Sequence, residues 1–392
     1  IVFEIIIHNP AMKSISFFFA DIILLVITFQ KINLRINRNH KIFILLLLYS
    51  LFSTIILSFH NSNIFQQING ARSIIYMPIF LLYFNTLLRS NMTDYFISKI
   101  SKNLLIWIII QLPICVYQFQ TMDVRDYIGG SFGYGGSGML TSLLFIIVYY
   151  LFVSEVKNIS DMSNMYKKKM WLFLFLTPVF LNETKISFFL LPIFFVFLID
   201  LKKHFIKSVV FLLIGFLIFN IYSSTYTEIE NKTSSEVLNT NYFYQHLFME
   251  GDANSNRFRR TLYTFNNALN EVDTFLFGNG YGLFKGSLIG ETKFTRDNKY
   301  MFGASGFIWT VFLWIQGGVF ITGLLLTNMF QYVKNINKII DINLKYFTYF
   351  LYIIAILPWF YNRAYISPFF CLTISYLICY TQNYFLKEKN TS

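Results

Sequence analysis

Charge is the scarcest property of this 392-residue chain. Only 13% of its residues are Asp, Glu, Lys or Arg, whereas 55% are hydrophobic. Soluble domains carry about 25% charged residues. Runs such as 42–59 and 188–199 contain no charge at all. A composition this poor in charge is typical of a chain embedded in lipid. It excludes the class of ordinary soluble enzymes.

The apolar runs also lack the alternation of polar and apolar residues that is typical of an outer-membrane strand. Backbone groups in lipid must be paired within the protein, which leaves helices for uninterrupted runs near 17 to 20 residues. We therefore predict an all-α, polytopic helical membrane protein with about eleven spans. The predicted spans are 13–30, 42–59, 71–88, 104–120, 138–154, 170–182, 185–200, 208–222, 304–328, 346–361 and 367–386.

These spans predict a single integrated membrane domain in three stretches. Helices one to eight occupy 1–222, a large periplasmic loop follows at 223–303, and 304–392 holds three helices and a short cytoplasmic tail. Basic loops alternate with nearly neutral ones along the chain. Because positive loops stay in the cytoplasm, the loop after residue 222 faces outward. The same count puts Ile1 outside, so we expect a further helix upstream that gives twelve in all.

Metal-ligand patterns are missing as well. The three cysteines lie in apolar segments without ligand spacing, and the outward side offers only His60 and His246. We expect the cysteines to be packing residues, and we predict neither a metal nor another cofactor. The net charge of +12 orients helices rather than binding nucleic acid, which we do not expect as a partner.

What the outward loops do contain is cations. Charged side chains near a membrane are costly unless they pair or contact a substrate. Arginine can bind phosphate oxygens with two parallel hydrogen bonds. The alternative for each cation is an ion pair or an interfacial position. The candidates for binding a pyrophosphate are Arg72, Lys185, Arg257, Arg259, Arg260 and Arg363.

Glycines form the second pattern. GGSFGYGGSG occupies 129–138, and Gly278, Gly280 and Gly282 punctuate a motif that follows the arginines. Glycine lets backbone amides approach a ligand closely. The alternatives are a flexible loop at 129–138 and a tight re-entry turn at 278–282.

The order of these parts resembles the superfamily of O-antigen polymerases and O-antigen ligases of bacterial inner membranes. The resemblance rests on SNRFRR at 255–260, LFGNGYG at 276–282, and the helix that follows the loop. Two further segments are similar to segments of the family. They are NETK at 182–185 and the glycine turn from Asp126 to Gly133. Family ligases carry a histidine where this chain has GASG at 303–306, so the resemblance favours a polymerase.

The resemblance implies a metal-independent glycosyltransferase for O-antigen, lipopolysaccharide, capsule or exopolysaccharide. It would transfer glycan from a polyprenyl (undecaprenyl) pyrophosphate to a second lipid-linked repeat unit on the periplasmic face of the inner membrane. The expected partners are the lipid-linked oligosaccharide, the bilayer, a chain-length regulator and a flippase.

Such a transfer needs a general base near the acceptor hydroxyl. The candidates are Glu183, Glu250, Asp252 and His246, with Glu183 first because a carboxylate beside Lys185 at a helix end is hard to explain structurally. A Glu183–Lys185 ion pair is the structural alternative. The alternative functions are a ligase-type glycan transferase, a flippase or transporter of a different class, and a non-catalytic partner in envelope assembly.

Overall fold

The computed structural model describes the helical framework of the chain. It covers residues 38–57, 64–89, 94–121, 128–133, 136–154, 170–182, 186–198, 271–283, 308–331, 339, 342–360, 362 and 364–391. Within these ranges every regular element is a helix, and no strand occurs. The all-α prediction is confirmed for this part of the chain. The predicted spans 13–30 and 208–222 lie outside it, so the count of about eleven stays a prediction.

The α-helices are long and apolar, with short 3-10 turns between some of them. In chain order they are α1 (Arg38–Leu57), α2 (Ile64–Arg89), α3 (Asp94–Thr121), α4 (Ser137–Val153), α5 (Thr177–Leu181), α6 (Ile186–Leu198), α7 (Val272–Phe277), α8 (Trp309–Gln331), α9 (Ile342–Phe360) and α10 (Pro368–Thr391). The 3-10 segments are Gly130–Phe132, Met170–Leu176 and Ala364–Ile366.

Three of these helices are long and apolar enough to cross a membrane. They contain the candidate spans Gln66–Leu88, Tyr95–Thr121 and Trp309–Phe330. Shorter apolar helices accompany them at Leu45–Leu57, Ser137–Val153, Trp171–Leu181 and Leu344–Phe360. The lengths and composition are those of a membrane protein.

The predicted sixth span is broken where the sequence contains Pro178. Residues Met170–Leu176 form a 3-10 segment, and Pro178 then stands in the first turn of α5. Proline fits this position because its missing N–H has no helical partner there. The chain turns at Asn182 before α6 begins.

Helices α2 and α10 form the closest pairing in the bundle, and they run parallel. The Ser375 hydroxyl donates to the Met77 carbonyl at 3.4 Å, and one turn further the Cys379 thiol lies 3.4 Å from the Leu81 carbonyl. Small side chains on α10 allow this approach, as is typical of helices that pack in membranes. The predicted role of the cysteines in packing is confirmed, since all three are buried in the bundle.

Aromatic side chains pack α4, α6 and α9 together. The ring of Phe350 in α9 packs on Tyr149 of α4 at 5.4 Å and on Phe194 of α6 at 5.6 Å. Helix α4 runs parallel to α6, because Phe145 meets Phe194 and the Tyr149 hydroxyl reaches the Phe197 carbonyl. Helix α9 runs antiparallel to both.

We call one end of the bundle the turn end. It is the end at which the helices α2, α4, α6, α8 and α10 begin. There the Trp309 N–H, at the start of α8, donates to the Asn362 carbonyl at 3.0 Å, just past the end of α9. This end collects the described parts of the loops that charge alternation assigns to the outside. The face of the membrane on which it lies remains a prediction.

Candidate functional site

The motif LFGNGYG forms a buried turn among three helices at the turn end. We call residues 278–283 the second glycine turn. It follows the short helix α7, which packs against α1 and α8. The turn itself contacts α2 and α8. Tyr281 and Leu283 are both 0% exposed. Non-helical backbone at this depth is tolerated only inside protein, where its polar groups find partners.

Helix α8 supplies the first partners through its own backbone. The N–H of Asn279 donates to the Ile315 carbonyl at 2.7 Å, and the N–H of Gly280 donates to the Gln316 carbonyl at 3.2 Å. Gln316 lies seven residues after Trp309, which places it about 10 Å along the helix. The chain thus returns into the bundle, as a re-entry turn does.

These carbonyls accept from the turn because α8 is interrupted just beyond them. Gly318 has φ 67° and ψ −175°, which is not helical. A left-handed φ followed by an extended ψ is open to glycine and strained for any other residue. Such an interruption releases preceding carbonyls from the helical ladder. A methyl group on Gly318 would also overlap the Leu276 carbonyl.

Two buried glutamines supply the second set of partners. The Gln67 Oε1 of α2 accepts the Tyr281 N–H at 3.3 Å, and the Gln316 Oε1 of α8 accepts the Gly282 N–H at 2.8 Å. Both glutamine side chains are 0% exposed. An unpaired buried N–H is costly, so these acceptors stabilise the turn inside the bundle.

The turn and α2 also meet backbone to backbone. Gly282 has φ 76°, and a methyl group there would overlap the Gln66 carbonyl. A methyl on Gly70 would overlap the Gly282 amide in the same way. Only glycines permit this contact.

Arg72 is the one predicted pyrophosphate ligand that the described residues include. It follows Gly70 by two residues on α2 and is half-buried. The Ser73 hydroxyl beside it donates to the Gly70 carbonyl at 2.7 Å. The structure therefore brings Arg72 and the second glycine turn to the same part of the turn end.

Burial raises the pKa of the Tyr281 phenol above its ordinary value, because desolvation disfavours the phenolate. The ring stays neutral and anchors the turn. Four residues earlier, the Phe277 carbonyl accepts a hydrogen bond from the Thr54 hydroxyl of α1 at 2.9 Å.

The other glycine-rich segment is a second buried turn. We call residues 128–133 with Gly136 the first glycine turn. Gln118 of α3 binds both polar groups of Gly130: its Oε1 accepts the N–H at 2.8 Å, and its Nε2 donates to the carbonyl at 3.0 Å. Gln111 accepts the Ser131 N–H at 2.8 Å. The described part of GGSFGYGGSG is thus a packed turn.

An aromatic contact continues the first glycine turn towards α10. The Phe132 ring lies 5.9 Å from Trp107 of α3 and 6.2 Å from Phe369 at the start of α10. Trp107 and Phe369 are themselves 5.0 Å apart. Gly133, next to Phe132, has no atom of the described residues within 4 Å of where a Cβ would stand.

Asn182 joins the NETK segment to the same region. Its Nδ2 donates to the Thr141 hydroxyl at 3.0 Å and to the Ser137 carbonyl at 3.4 Å, both in the first turns of α4. Its side chain is 0% exposed. Asn182 itself therefore lies at the start of α4, beside the first glycine turn.

Most other predicted site residues lie outside the described part of the chain. The predictions that concern them stand as made. These residues are Glu183, Lys185, His246, Glu250, Asp252, Arg257, Arg259, Arg260 and Arg363.

Two chain neighbours of Arg363 are placed. The Ala364 N–H donates to the Asn362 Oδ1 at 3.0 Å, and the 3-10 turn that begins at Ala364 packs on α2. In the described ranges, no group of three or more His, Cys, Asp or Glu side chains gathers as it would around a metal.

Sequence reasoning missed the glutamines Gln67, Gln111, Gln118 and Gln316. A signal was present for Gln111, Gln118 and Gln316, which are amides in apolar stretches, in a chain with two glycine-rich motifs whose amides need acceptors. Gln67 lies in the polar stretch IFQQING and carried no such signal. An amide side chain supplies one acceptor and two donors, which suits an irregular backbone.

No protein-family model, no curated protein and no solved structure matches this chain. The function is therefore argued from the site itself and from the resemblance of its motifs.

Proposed function

We propose that this protein polymerises lipid-linked oligosaccharide repeat units. The observation that carries the proposal is the second glycine turn. The stretch on which the family resemblance rests is a buried re-entry turn tied to the helix of Arg72, and the same loop holds Arg257, Arg259 and Arg260 in the residues before it.

The reaction transfers a glycan from one lipid carrier to another. The bond between the anomeric carbon of the donor glycan and its pyrophosphate oxygen breaks. A hydroxyl of the second lipid-linked repeat attacks that carbon and forms the new glycosidic bond. The hydroxyl proton passes to a base, for which Glu183 ranks first, and polyprenyl pyrophosphate departs with the bonding electrons.

Departure requires stabilisation of negative charge, which preorganised cations provide. Arginine keeps its proton and presents a planar fork to phosphate oxygens. Arg72 and the three loop arginines, with Lys185 and Arg363, are the residues proposed to hold the pyrophosphate. No metal is needed in this scheme, since pyrophosphate is already a good leaving group.

The site fits a bacterial cytoplasmic membrane with the turn end towards the periplasm. A lipid carrier would approach between the apolar helices while the loop covers its head group. A flippase that delivers the repeat units and a regulator that sets chain length are the proposed partners.

Single substitutions of the arginines test the proposal. Arg257, Arg259 and Arg260 are each changed to Ala and to Lys in a deletion strain, and the surface polysaccharide is resolved by length. A matched control is Lys102→Ala, which removes an exposed cation from the start of α3, away from the turn end. Loss of long chains with single-repeat glycan retained is expected for a polymerase.

Two outcomes count against it. Loss of all surface glycan supports a ligase or a flippase instead. Wild-type chain lengths in all three Ala variants rule out the arginine clamp. Purified protein supplied with polyprenyl-pyrophosphate-linked repeats provides the direct assay, because a polymerase forms glycan ladders and releases polyprenyl pyrophosphate without an added metal.

A further inference from the structure

We propose that Gln67 and Gln316 are positioning residues that fix the second glycine turn against the helix of Arg72. The inference rests on the proposed function, because it states how the pyrophosphate ligands are held in register. The two glutamines act through the turn and not on the substrate.

The hydrogen bonds form a clamp from two sides. Gln67 and Gln316 lie on different helices, yet their Oε1 atoms accept the N–H groups of consecutive residues, Tyr281 and Gly282. Since a peptide N–H only donates, each bond fixes which end of the amide faces the turn. The turn therefore joins α2 to α8.

Only the oxygen of Gln316 is used in this clamp. Its Nε2 is buried and has no hydrogen-bond partner among the residues that the structure describes. The side chain makes no second contact through its donor that would explain a polar residue at this depth. The acceptor for the Gly282 N–H is thus the function of Gln316 that the structure displays.

The clamp lies close to Arg72 along the axis of α2, with Gly70 and Arg72 on opposite faces of that helix. Gln67 precedes Arg72 by five residues, and between them Gly70 touches the Gly282 backbone. A turn released from Gln67 and Gln316 would move relative to Arg72. In an enzyme, a misplacement of about 1 Å can lower the rate about 100-fold, so the acceptors matter for activity beyond stability.

Isosteric replacement separates the acceptor from the packing. Gln316→Met keeps the length of the side chain and removes the oxygen, whereas Gln316→Glu keeps an oxygen that accepts in either protonation state. Thr322→Val is the matched control on α8, because the Thr322 hydroxyl bonds only the Gly318 carbonyl of its own helix among the contacts seen, at 2.9 Å.

The reporter of the turn is a cysteine at Leu283, which is 0% exposed. The native cysteines are buried and give little background. In a Leu283→Cys chain, a membrane-impermeant maleimide should label slowly. Adding Gln316→Met should raise the labelling rate about ten-fold, and adding Thr322→Val should not. Polymer yield should fall about ten-fold or more with Gln316→Met and recover with Gln316→Glu.

Several outcomes overturn the inference. One is unchanged labelling with Gln316→Met, and another is faster labelling with a wild-type polymer yield. A Glu variant as defective as the Met variant assigns the effect to packing. If Gln316→Met does not accumulate, Gln67→Met, which removes the longer bond, is measured against the same outcomes. If the wild-type chain makes no polymer, the proposed function fails, while the labelling still decides whether the clamp exists.

Discussion

In both glycine turns, buried backbone N–H groups donate to glutamine side chains. The two turns differ in how far along the chain these glutamines lie. The first glycine turn is held by Gln118, 12 residues away, and by Gln111, 20 residues away, both on the helix that leads into it. The second is held by Gln316, 34 residues away, and by Gln67, 214 residues away. The first turn is local structure, whereas the second turn depends on the assembled bundle.

The difference teaches where each turn is vulnerable. A local turn forms together with its helix and loses stability by increments when one bond is removed. The second turn is wedged between helices, with its backbone against α2 and its amides on the interrupted part of α8. Changes there act on the packing of three helices at once. Three substitutions test this contrast, in order of decreasing effect.

The largest effect is expected for Gly282→Ala. The new methyl group would overlap the Gln66 carbonyl, and the left-handed φ adds strain, so the turn would separate from α2. We expect a loss of about 3–5 kcal/mol in stability, seen as a lower melting temperature of the detergent-purified protein.

The matched control is Gly133→Ala in the first glycine turn. Gly133 also has a left-handed φ, 70°, but no described residue lies where the methyl would stand. Only the backbone strain remains, about 1–3 kcal/mol. Equal losses at both positions would contradict the wedge and leave backbone strain as the sole cause.

A smaller effect is expected for Gln118→Met. This change removes both hydrogen bonds to Gly130 while keeping the side-chain length, so a buried N–H and a buried carbonyl lose their partner. We expect a loss of about 1–3 kcal/mol, measured as the shift in melting temperature. Gln120→Met on the same helix is the control, because Gln120 is exposed. A stable Gln118→Met chain would show that the first turn needs no clamp.

The smallest effect is expected for Thr54→Val. The substitution keeps the branched shape and removes the hydroxyl that donates to the Phe277 carbonyl at 2.9 Å. A net hydrogen bond is worth about 0.5–1.5 kcal/mol, and the melting temperature should fall accordingly. Thr121→Val serves as the control, since its hydroxyl bonds only carbonyls of its own helix among the contacts seen. A loss as large as that of Gly282→Ala would place α1, and not α2, at the centre of the turn's support.

The sequence predicted the helices well where apolar runs are unbroken. The predicted span 138–154 lies within one residue of α4, and 346–361 overlaps α9 closely. The beginning of α2 was missed: the predicted span starts at 71, but the helix starts at Ile64. Residues Gln66, Gln67 and Gly70 resemble loop residues, and they are helical because the second glycine turn packs on them.

The interruption of α8 shows the same limit. The sequence indicated a glycine-punctuated helix over 304–328, and α8 runs over Trp309–Gln331. Nothing in the local sequence tells which glycine breaks the helix. The break occurs at Gly318 and not at Gly317. The reason is that the second glycine turn, 34 or more residues earlier in the chain, donates its N–H groups to the carbonyls just before Gly318.

The candidate site was predicted in part. Of the two interpretations of the glycine motif, the structure shows the tight re-entry turn. The interpretation in which its amides approach a ligand stays a prediction. Arg72 was placed by its position at a helix start, although α2 begins earlier than expected. The glutamine acceptors were not predicted. Gln67 and Gln316 pair with a segment that is distant in sequence, whereas Gln111 and Gln118 pair locally and were overlooked.

The parallel pairing of α2 with α10 has a consequence for synthesis. Ser375 and Cys379 reach partners 298 residues earlier in the chain, so the bundle closes only when its last helix has been made. Contacts this distant slow folding, because closing so long a loop costs chain entropy before the contact contributes stability. A nascent chain that stops before α10 would leave the Met77 face of α2 uncovered, open to quality-control proteases and to neighbouring helices in the membrane.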